Sequence, residues 1–199
     1  MYKILNELDF KTLFAFVAKN NALIGENISE DYFKDELGTV KGIPEIVLKV
    51  DTVEQISKIM KYANDNRIAV TVRGSGTGLV GACVPIHGGI LLDTTKMNQI
   101  LNLDDQNLVL EVEPGVLVMD IYEYVESRGY FYAPDPGEKT ATIGGNVATN
   151  AGGMRAVKYG VTRDWVVALE VVLPNGEITQ FGRVVAKNST GYSLKDLII

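Results

Sequence analysis

Residues 73–81 read R-G-S-G-T-G-L-V-G, which combines unhindered backbone N–H groups with two hydroxyls and one guanidinium. Glycine at alternate positions removes the side chains that would keep a ligand away from the main chain. Successive N–H groups that point into one concavity bind anions. This stretch, the first glycine loop, therefore predicts a site for a phosphate or pyrophosphate group. A tight loop that serves only packing is the alternative.

Two common nucleotide-binding motifs fit the first glycine loop poorly. Gly76, Gly78 and Gly81 match G-x-G-x-x-G, but a Rossmann site needs a helix that begins directly after these glycines. Pro85 and the glycine pair at 88–89 interrupt the chain there, and another strand-like stretch follows. No lysine stands where a P-loop requires one. The sequence therefore disfavours a Rossmann site and excludes a P-loop.

Residues 134–153 form a second glycine loop, with two Gly-Gly pairs among asparagines and threonines. Amide and hydroxyl groups with little bulk around them suit the wall of a site for a planar heteroaromatic ring. The carbonyl and N–H edges of such a ring would pair with these groups. A buried network of turns that satisfies its own backbone is the alternative.

The remaining reactive side chains point to no chemistry. Cys83 is the only cysteine, which excludes an internal disulfide and a cysteine-based zinc site. His87 is the only histidine, and we expect a surface or structural role for it. The sequence therefore gives no catalytic residue and no metal ligand. A single cysteine, no secretion signal and no membrane-length apolar run together predict a cytoplasmic protein.

Charge and composition narrow the possible partners. The 199 residues include 19 Lys and Arg against 25 Asp and Glu, a net charge of −6. Such a chain lacks the basic footprint of a nucleic-acid-binding protein, and it has no basic block for an anionic membrane. Hydrophobic residues make up 46% of the chain, which is enough for a core.

The elements that position the first glycine loop are predicted from periodicity. Apolar, β-branched runs at 46–50 and 68–72 predict strands, and 90–93 predicts a third. Between the first two, residues 53–66 place apolar groups on one helical face after a capping box that begins at Thr52. A strand–helix–strand order of this length predicts parallel pairing of the two strands.

The second half of the chain predicts mainly antiparallel structure. Residues 108–113 alternate as a strand, and 116–128 predict a helix. The turn signal at 174–177 joins predicted strands at 165–173 and 178–181 into a hairpin.

The predicted fold class is α+β, with two subdomains. Residues 1–44 form a helical lead, 45–100 a small parallel α/β unit, and 101–199 a larger, mainly antiparallel sheet with helices. No internal repeat or disordered linker is visible.

The two glycine loops together carry a resemblance. R-G-S-G-T-G-L-V-G at 73–81, P-D-P-G at 134–137 and T-I-G-G-N-V-A-T-N-A-G-G at 142–153 resemble the FAD-binding domain of vanillyl-alcohol-oxidase (PCMH-type) flavoproteins. Within that superfamily the chain looks most like the glycolate oxidase subunit and D-lactate dehydrogenase group. The resemblance extends from about Pro44 to the C-terminus, and residues 187–194 fit its pattern as well.

The resemblance implies FAD between the two subdomains, with its pyrophosphate in the first glycine loop and its flavin ring along the second. The implied cofactor-binding residues are Arg73, Gly74, Ser75, Gly76, Thr77, Gly78, Gly81, Pro134, Thr142, Gly144, Gly145, Asn146, Thr149, Asn150, Gly152 and Gly153. Three nearby cations are candidates to balance charge on reduced flavin: Arg155, Lys158 and Arg163.

Two departures from the family pattern have consequences. Members that bind FAD covalently often carry histidine where this chain has Thr77, so we expect non-covalent FAD. The chain ends in the apolar run 195–199, where the family continues into another FAD-contacting loop and a substrate-binding cap. That cap carries the residues that bind metal and activate the hydroxyl. We therefore expect this chain to be a truncated part of an enzyme, inactive alone.

The function that the resemblance implies is oxidation of a D-2-hydroxy acid of the glycolate or D-lactate type. Hydride would pass from the α-carbon to flavin N5, and a partner protein would accept the electrons. A non-catalytic FAD-binding or electron-transfer subunit of a larger complex is one alternative. Others are flavoproteins of the same fold, such as a UDP-N-acetylenolpyruvoylglucosamine reductase or the flavin subunit of a molybdenum hydroxylase. The sequence of the second glycine loop argues against these last two.

Overall fold

The computed structural model describes residues 2–185 and 191–199. Its contacts divide the chain into two compact units. Unit 1 consists of Met1–Met97 and Val172–Ile178, and unit 2 of Asn98–Val171 and Thr179–Ile199. Residues 187–190 of the family-like stretch at 187–194 lie outside the described residues.

Unit 1 is built on a four-stranded sheet. Its strands are β1 (Ala22–Leu23), β2 (Ile46–Lys49), β3 (Val70–Arg73) and β4 (Ile90–Asp93). The order is β1-β2-β4-β3, with β4 parallel to both of its neighbours and β1 antiparallel to β2. The parallel direction is confirmed, but the prediction that β2 and β3 pair with each other is wrong. Every residue of β4 is buried, as expected for an inner strand with a parallel neighbour on each side.

Helix α2 (Val53–Asn66) connects β2 to β3 and begins where its cap predicts. Thr52 Oγ1 accepts a hydrogen bond from the Gln55 N–H at 3.3 Å. The Gln55 side chain bonds the N–H of Asp51 instead of that of Thr52, so the capping box is shifted by one residue. Ile59 and Ala63 on the inner face of α2 are buried in the core.

The N-terminal lead packs within unit 1. It contains helix α1 (Glu7–Phe14) and the 3-10 helices Lys19–Asn21, Gly25–Asn27 and Glu30–Phe33. Leu13 and Val17 are buried in the same cluster as Ile46 and Leu48 of β2. The helical character predicted for this segment is thus present as one α-helix and short 3-10 helices.

Asp9 in α1 is a buried carboxylate, and its side chain is only 1% exposed. It accepts hydrogen bonds from Lys3 Nζ at 2.6 Å, from the Tyr62 hydroxyl at 2.7 Å and from the Asn6 N–H at 2.9 Å. Burial raises the pKa of Asp9, but these three donors outweigh burial and hold the pKa below its usual value. Asp9 is therefore ionised in the folded protein at neutral pH.

We expect the Asp9→Asn variant to lose about 2 kcal/mol of unfolding free energy at pH 7, since a charge-assisted hydrogen-bond network is lost. The folded pKa lies below the unfolded one, so this stabilisation is complete above the unfolded pKa and disappears as the pH falls through the folded pKa. Denaturant titrations at pH 7 and at about pH 3 should therefore show a gap between wild type and variant that narrows in acid.

The exposed Glu7→Gln change in the same helix removes one carboxylate charge and serves as the control. A gap for Asp9→Asn that is constant over this pH range would contradict the role assigned to the Asp9 carboxylate.

Unit 2 has its core beneath helix α3 (Val118–Glu126). Strands β5 (Ile100–Asp104) and β6 (Val109–Val112) form an antiparallel pair that packs on Ile121 and Val125 of the helix. The remaining elements of the described chain are α4 (Ile143–Ala148), α5 (Ala156–Tyr159), α6 (Thr162–Trp165), β7 (Ala168–Val172), β8 (Ile178–Gly182) and α7 (Lys195–Ile198). The described strands outside unit 1's sheet thus form two separate two-stranded sheets, β5-β6 and β7-β8.

The predicted strand at 165–173 is wrong at its start. Trp165 ends helix α6, and the strand begins only at Ala168. The Val161 N–H donates to Asp164 Oδ2 at 2.8 Å and so caps α6. Trp165 Nε1 donates to the Tyr159 carbonyl at 2.9 Å, which holds the indole against the preceding helix. This local capping outweighs the β propensity of the sequence.

The predicted hairpin turn at 174–177 is confirmed. Gly176 has φ +85°, and its N–H donates to the Leu173 carbonyl at 2.8 Å. The Gly176 carbonyl accepts a hydrogen bond from Ser57 Oγ of α2 at 2.6 Å. A Cβ at Gly176 would lie 2.6 Å from the Ser57 carbonyl oxygen, so this position requires glycine for both conformation and space.

Across residues 2–185 and 191–199, every helix is too short or too polar to cross a lipid bilayer.

Candidate functional site

The first glycine loop begins at Arg73, the last residue of β3, and residues 74–81 contain no helix or strand. Gly76 and Gly81 have φ of +80° and +75°, in the left-handed region that favours glycine. The helix that a Rossmann site needs is absent from residues 74–89. The sequence-based rejection of a Rossmann site is therefore confirmed.

Arg73 lies beneath this loop within the protein. Its side chain is buried, and Nη1 donates to the Lys34 carbonyl at 2.8 Å. A Cβ at Gly76 would overlap the Arg73 guanidinium, so the glycine makes room for the arginine. The guanidinium therefore supports the loop from below, and its predicted contact with a bound anion stays a prediction.

At Gly78, neither a left-handed backbone conformation nor a lack of space requires glycine. Its φ lies outside the left-handed region, and an added Cβ would meet nothing within 4 Å. An added Cβ at Gly81 would also have space, with Val40 as its nearest neighbour at 3.7 Å, but the φ of +75° at Gly81 still favours glycine. A glycine that protein packing and backbone conformation do not require is the expected feature of a loop that receives a ligand. The first glycine loop thus fits a phosphate-bearing cofactor at Gly78.

Part of the second glycine loop is helical, where the sequence predicted a loop. Thr142 is buried and caps α4, with its Oγ1 accepting from the Gly145 N–H at 3.4 Å. A Cβ at Gly144 would lie 2.7 Å from Pro114 Cβ, and a Cβ at Gly153 would overlap the Asp135 carbonyl oxygen. Close packing within the protein therefore explains glycine at 144 and 153. The sequence analysis had explained these two glycines by contact with a cofactor.

Asn146 of α4 is the unusual polar group of this loop. The residue is 5% exposed, and its Nδ2 has no hydrogen-bond partner among the described residues. A buried amide donor without an acceptor costs about 1–3 kcal/mol. A ligand that brings a carbonyl or ring-nitrogen acceptor would remove this cost. Asn146 therefore fits the edge of a heteroaromatic ring.

The other predicted residues of this loop have local partners. Thr149 Oγ1 donates to the Gly145 carbonyl at 2.9 Å, and Asn150 Oδ1 accepts from the Arg163 N–H at 3.0 Å. The Pro134 carbonyl accepts from the Tyr122 hydroxyl at 2.5 Å. These groups hold the loop in shape, and their contacts with a cofactor stay predictions.

The three candidate cations differ in how they are used. Arg155 pairs with Asp135 at 3.4 Å, and Lys158 lies over the Tyr159 ring at 4.7 Å. Arg163 Nη2 donates to the Ile199 carbonyl at 2.7 Å, while its buried Nε has no partner within the described ranges. Arg163 is thus the one of the three that retains an unused buried donor there.

Cys83 and His87 lie in different surroundings, and the structural roles expected for them stay predictions. Cys83 is half-buried, and burial raises the pKa of its thiol, although nearby Arg73 opposes the shift. A raised pKa keeps the thiol protonated and unreactive. His87 is exposed, with its ring 5.3 Å from that of Tyr2.

Sequence reasoning missed Asp35, which accepts a hydrogen bond from the Gly81 N–H at 2.7 Å. The only local signal was an aspartate three residues before Gly38, a pattern typical of a tight turn. Nothing in the sequence connected that turn with a loop some forty residues later.

Comparison with known families identifies the family to which the chain belongs. The family described as "FAD binding domain" matches residues 44–182, a range that includes both glycine loops. The chain belongs to this FAD-binding family. FAD is therefore the cofactor, as the resemblance implied, and the FAD-binding domain has the fold class that was predicted.

Individual relatives with high sequence identity support the family assignment. The FAD-binding domain is 49% identical over 187 residues to a D-lactate dehydrogenase of Anaerostipes hadrus, covering 94% of this chain and 39% of the relative. It is 44% identical over 169 residues to the glycolate oxidase subunit GlcD of Bacillus subtilis, covering 84% of this chain and 36% of the relative. The chain thus spans about two fifths of the length of these curated relatives.

A solved structure shows the same fold. The substrate-bound crystal structure of p-cresol methylhydroxylase aligns with a TM-score of 0.79 at 24% identity, covering all of this chain and 42% of the other. At that identity the similarity concerns the fold alone.

Proposed function

We propose that this chain is the FAD-binding part of an FAD-dependent oxidoreductase that oxidises a D-2-hydroxy acid of the glycolate or D-lactate type. Residues 45–100 and 101–199 are the two FAD-binding subdomains in this proposal, and residues 1–44 are the lead before them. The names of the relatives, a D-lactate dehydrogenase and a glycolate oxidase subunit, support this substrate class. The protein that contains the chain would act in the cytoplasm and pass electrons to a partner protein.

In this proposal the chain binds FAD without a covalent bond. Residues 73–78 hold the pyrophosphate through backbone N–H groups, and the second glycine loop borders the flavin ring. Bound FAD supplies an acceptor for the hydride that leaves the substrate α-carbon. The chain positions the cofactor and excludes water from it, and Thr77 provides no ring nitrogen for a covalent link.

The observation that carries the proposal is the unpartnered, buried Nδ2 of Asn146. In the Asn146→Leu variant an apolar group of similar size replaces an amide with an unsatisfied donor, so the apo-protein should be as stable as wild type or slightly more stable. FAD affinity should fall by about fivefold, since one buried hydrogen bond to the cofactor is worth about 1 kcal/mol. Titration by quenching of flavin fluorescence measures the affinity.

A matched control is Asn107→Leu, which changes an exposed asparagine of the same unit whose Nδ2 bonds Asp104. It should leave FAD affinity unchanged. An Asn146→Leu variant that loses stability but keeps its FAD affinity would show that Asn146 serves the fold instead of the cofactor.

The substrate class is tested in the protein that contains this chain, purified with FAD. Anaerobic addition of D-lactate or glycolate should bleach the flavin absorbance, and L-lactate should leave it unchanged. Acid precipitation should leave a colourless pellet and yellow supernatant. Flavin that no 2-hydroxy acid bleaches would favour a non-catalytic electron-transfer subunit, and a yellow pellet would disprove non-covalent binding.

A further inference from the structure

A short stretch of the N-terminal segment, residues 32–42, runs beside the first glycine loop, and we call it the brace. The Glu36 N–H donates to the Gly78 carbonyl at 3.2 Å. Val40 lies beside Gly81, within ordinary contact distance of a Cβ added there. The brace therefore contacts the loop at Gly78 and again three residues later.

Asp35 supplies the strongest contact of the brace. The residue is 4% exposed, so its carboxylate is almost fully removed from water. Oδ2 accepts from the Gly81 N–H at 2.7 Å, and Oδ1 accepts from the Gly38 N–H at 3.0 Å. Burial raises the pKa of Asp35, but these backbone donors outweigh it and hold the pKa below its usual value. The bonds are therefore charge-assisted at neutral pH, the stronger class of hydrogen bond.

A second contact fixes the floor of the loop. Arg73 Nη1 donates to the Lys34 carbonyl, and the guanidinium lies 5.7 Å from the centre of the Tyr32 ring. The Tyr32 hydroxyl in turn donates to Asp93 Oδ2 at 2.6 Å. The guanidinium that fills the space behind Gly76 is thus held by the brace and, through Tyr32, by the end of β4.

We propose that Asp35 is a positioning residue for FAD binding. Its carboxylate holds the first glycine loop in the conformation that receives the pyrophosphate. The inference rests on the proposed role of that loop. Four glycines within residues 74–81 give the free loop many conformations, and ordering them on binding would weaken affinity. The brace orders the loop when the protein folds. The Gly81 N–H is already bonded to Asp35, so Gly81 shapes the loop and leaves the anion to residues before it.

For the Asp35→Asn variant, the loss of charge and the loss of loop positioning predict opposite changes in FAD affinity. Asp35→Asn removes a negative charge near a site for an anion, which by electrostatics alone would tighten FAD binding. It also turns an acceptor of two N–H groups into an amide whose own NH2 would face one of them, which frees the loop. We expect positioning to dominate and FAD affinity to fall by about tenfold, the equivalent of about 1.4 kcal/mol.

The control for charge is Glu30→Gln, which removes one exposed carboxylate from the preceding 3-10 helix. Its FAD affinity should stay within about twofold of wild type, as expected for a screened surface charge. Asp35→Glu keeps the charge and displaces the carboxylate by one methylene, and it should weaken FAD binding less than Asp35→Asn does. This second variant keeps the test valid if Asp35→Asn fails to fold.

Riboflavin separates positioning of the pyrophosphate from general damage, because it carries the flavin ring without a pyrophosphate. The Asp35 variants should lose affinity for FAD but not for riboflavin. Equal losses for both ligands, or tighter FAD binding by Asp35→Asn, would overturn the role of Asp35. A wild-type protein that shows no preference for FAD over riboflavin would instead refute the proposed pyrophosphate role of the loop.

Discussion

The Gly153→Ala variant should lose about 3 kcal/mol of unfolding free energy, at the upper end of what overpacking costs. An alanine Cβ at this position would overlap the Asp135 carbonyl oxygen and lie 2.9 Å from Pro136 Cα. Both atoms belong to backbone, so neither can rotate away as a flexible side chain would. The P-D-P-G stretch and the end of the second glycine loop must therefore separate, and the hydrogen bonds nearby are disrupted.

Gly152→Ala is the matched control, because its Cβ would lie 3.5 Å from Val161 Cγ1, an ordinary contact. Neither glycine has a left-handed φ, so the two variants differ only in the space available. Thermal unfolding should show a melting temperature about 10 °C lower for Gly153→Ala and little changed for Gly152→Ala. Equal melting temperatures would show that the contact between Gly153 and Asp135 can relax.

The Gly78→Val variant should show the opposite behaviour, with a normal fold and a large loss of FAD binding. An added Cβ at Gly78 meets no protein atom within 4 Å and the φ of Gly78 is not left-handed, so we expect thermal stability to be unchanged. The isopropyl group would occupy space that the pyrophosphate needs. A steric cost of about 3 kcal/mol corresponds to a dissociation constant for FAD that is roughly 100-fold higher.

Gly78→Ala should give a smaller loss than Gly78→Val, since the effect grows with side-chain volume. Ala82→Val creates the same isopropyl side chain at an exposed position just beyond the loop and should leave FAD affinity unchanged. Isothermal titration calorimetry with FAD measures all three variants. Full FAD affinity in Gly78→Val would mean that the space above Gly78 is not part of the cofactor site.

Local signals predicted the elements of unit 1 well. Helix α2 follows the capping residue Thr52, and it ends at Asn66, where its apolar periodicity also ends, so both limits have a local signal. Strand order was not predictable in the same way, because β2 and β3 each pair with β4 through contacts distant in sequence. The short helix α6 was missed because its cap at Asp164 is weaker as a signal than the β-branched run that follows.

The candidate site was predicted as a set of residue types but not as a set of roles. Glycine content identified both loops, yet it could not separate Gly153, which packs against backbone, from Gly78, which faces open space. Asp35 could not be found at all, because its function depends on a hydrogen bond to Gly81 across 46 positions of sequence. A role that arises from a tertiary contact leaves no local pattern.

The hairpin turn determines when unit 1 can finish folding during synthesis. Ser57 Oγ and the Gly176 carbonyl form a hydrogen bond across 119 positions, and Val172–Ile178 belongs to unit 1. Domains generally fold from the N-terminus during synthesis, but this one stays incomplete until residue 178 has left the ribosome. The surface of helix α2 beside Ser57 therefore stays exposed to solvent while residues 98–171 are translated, because the turn that covers it follows them. A chaperone that binds nascent chains would find that surface accessible throughout this interval.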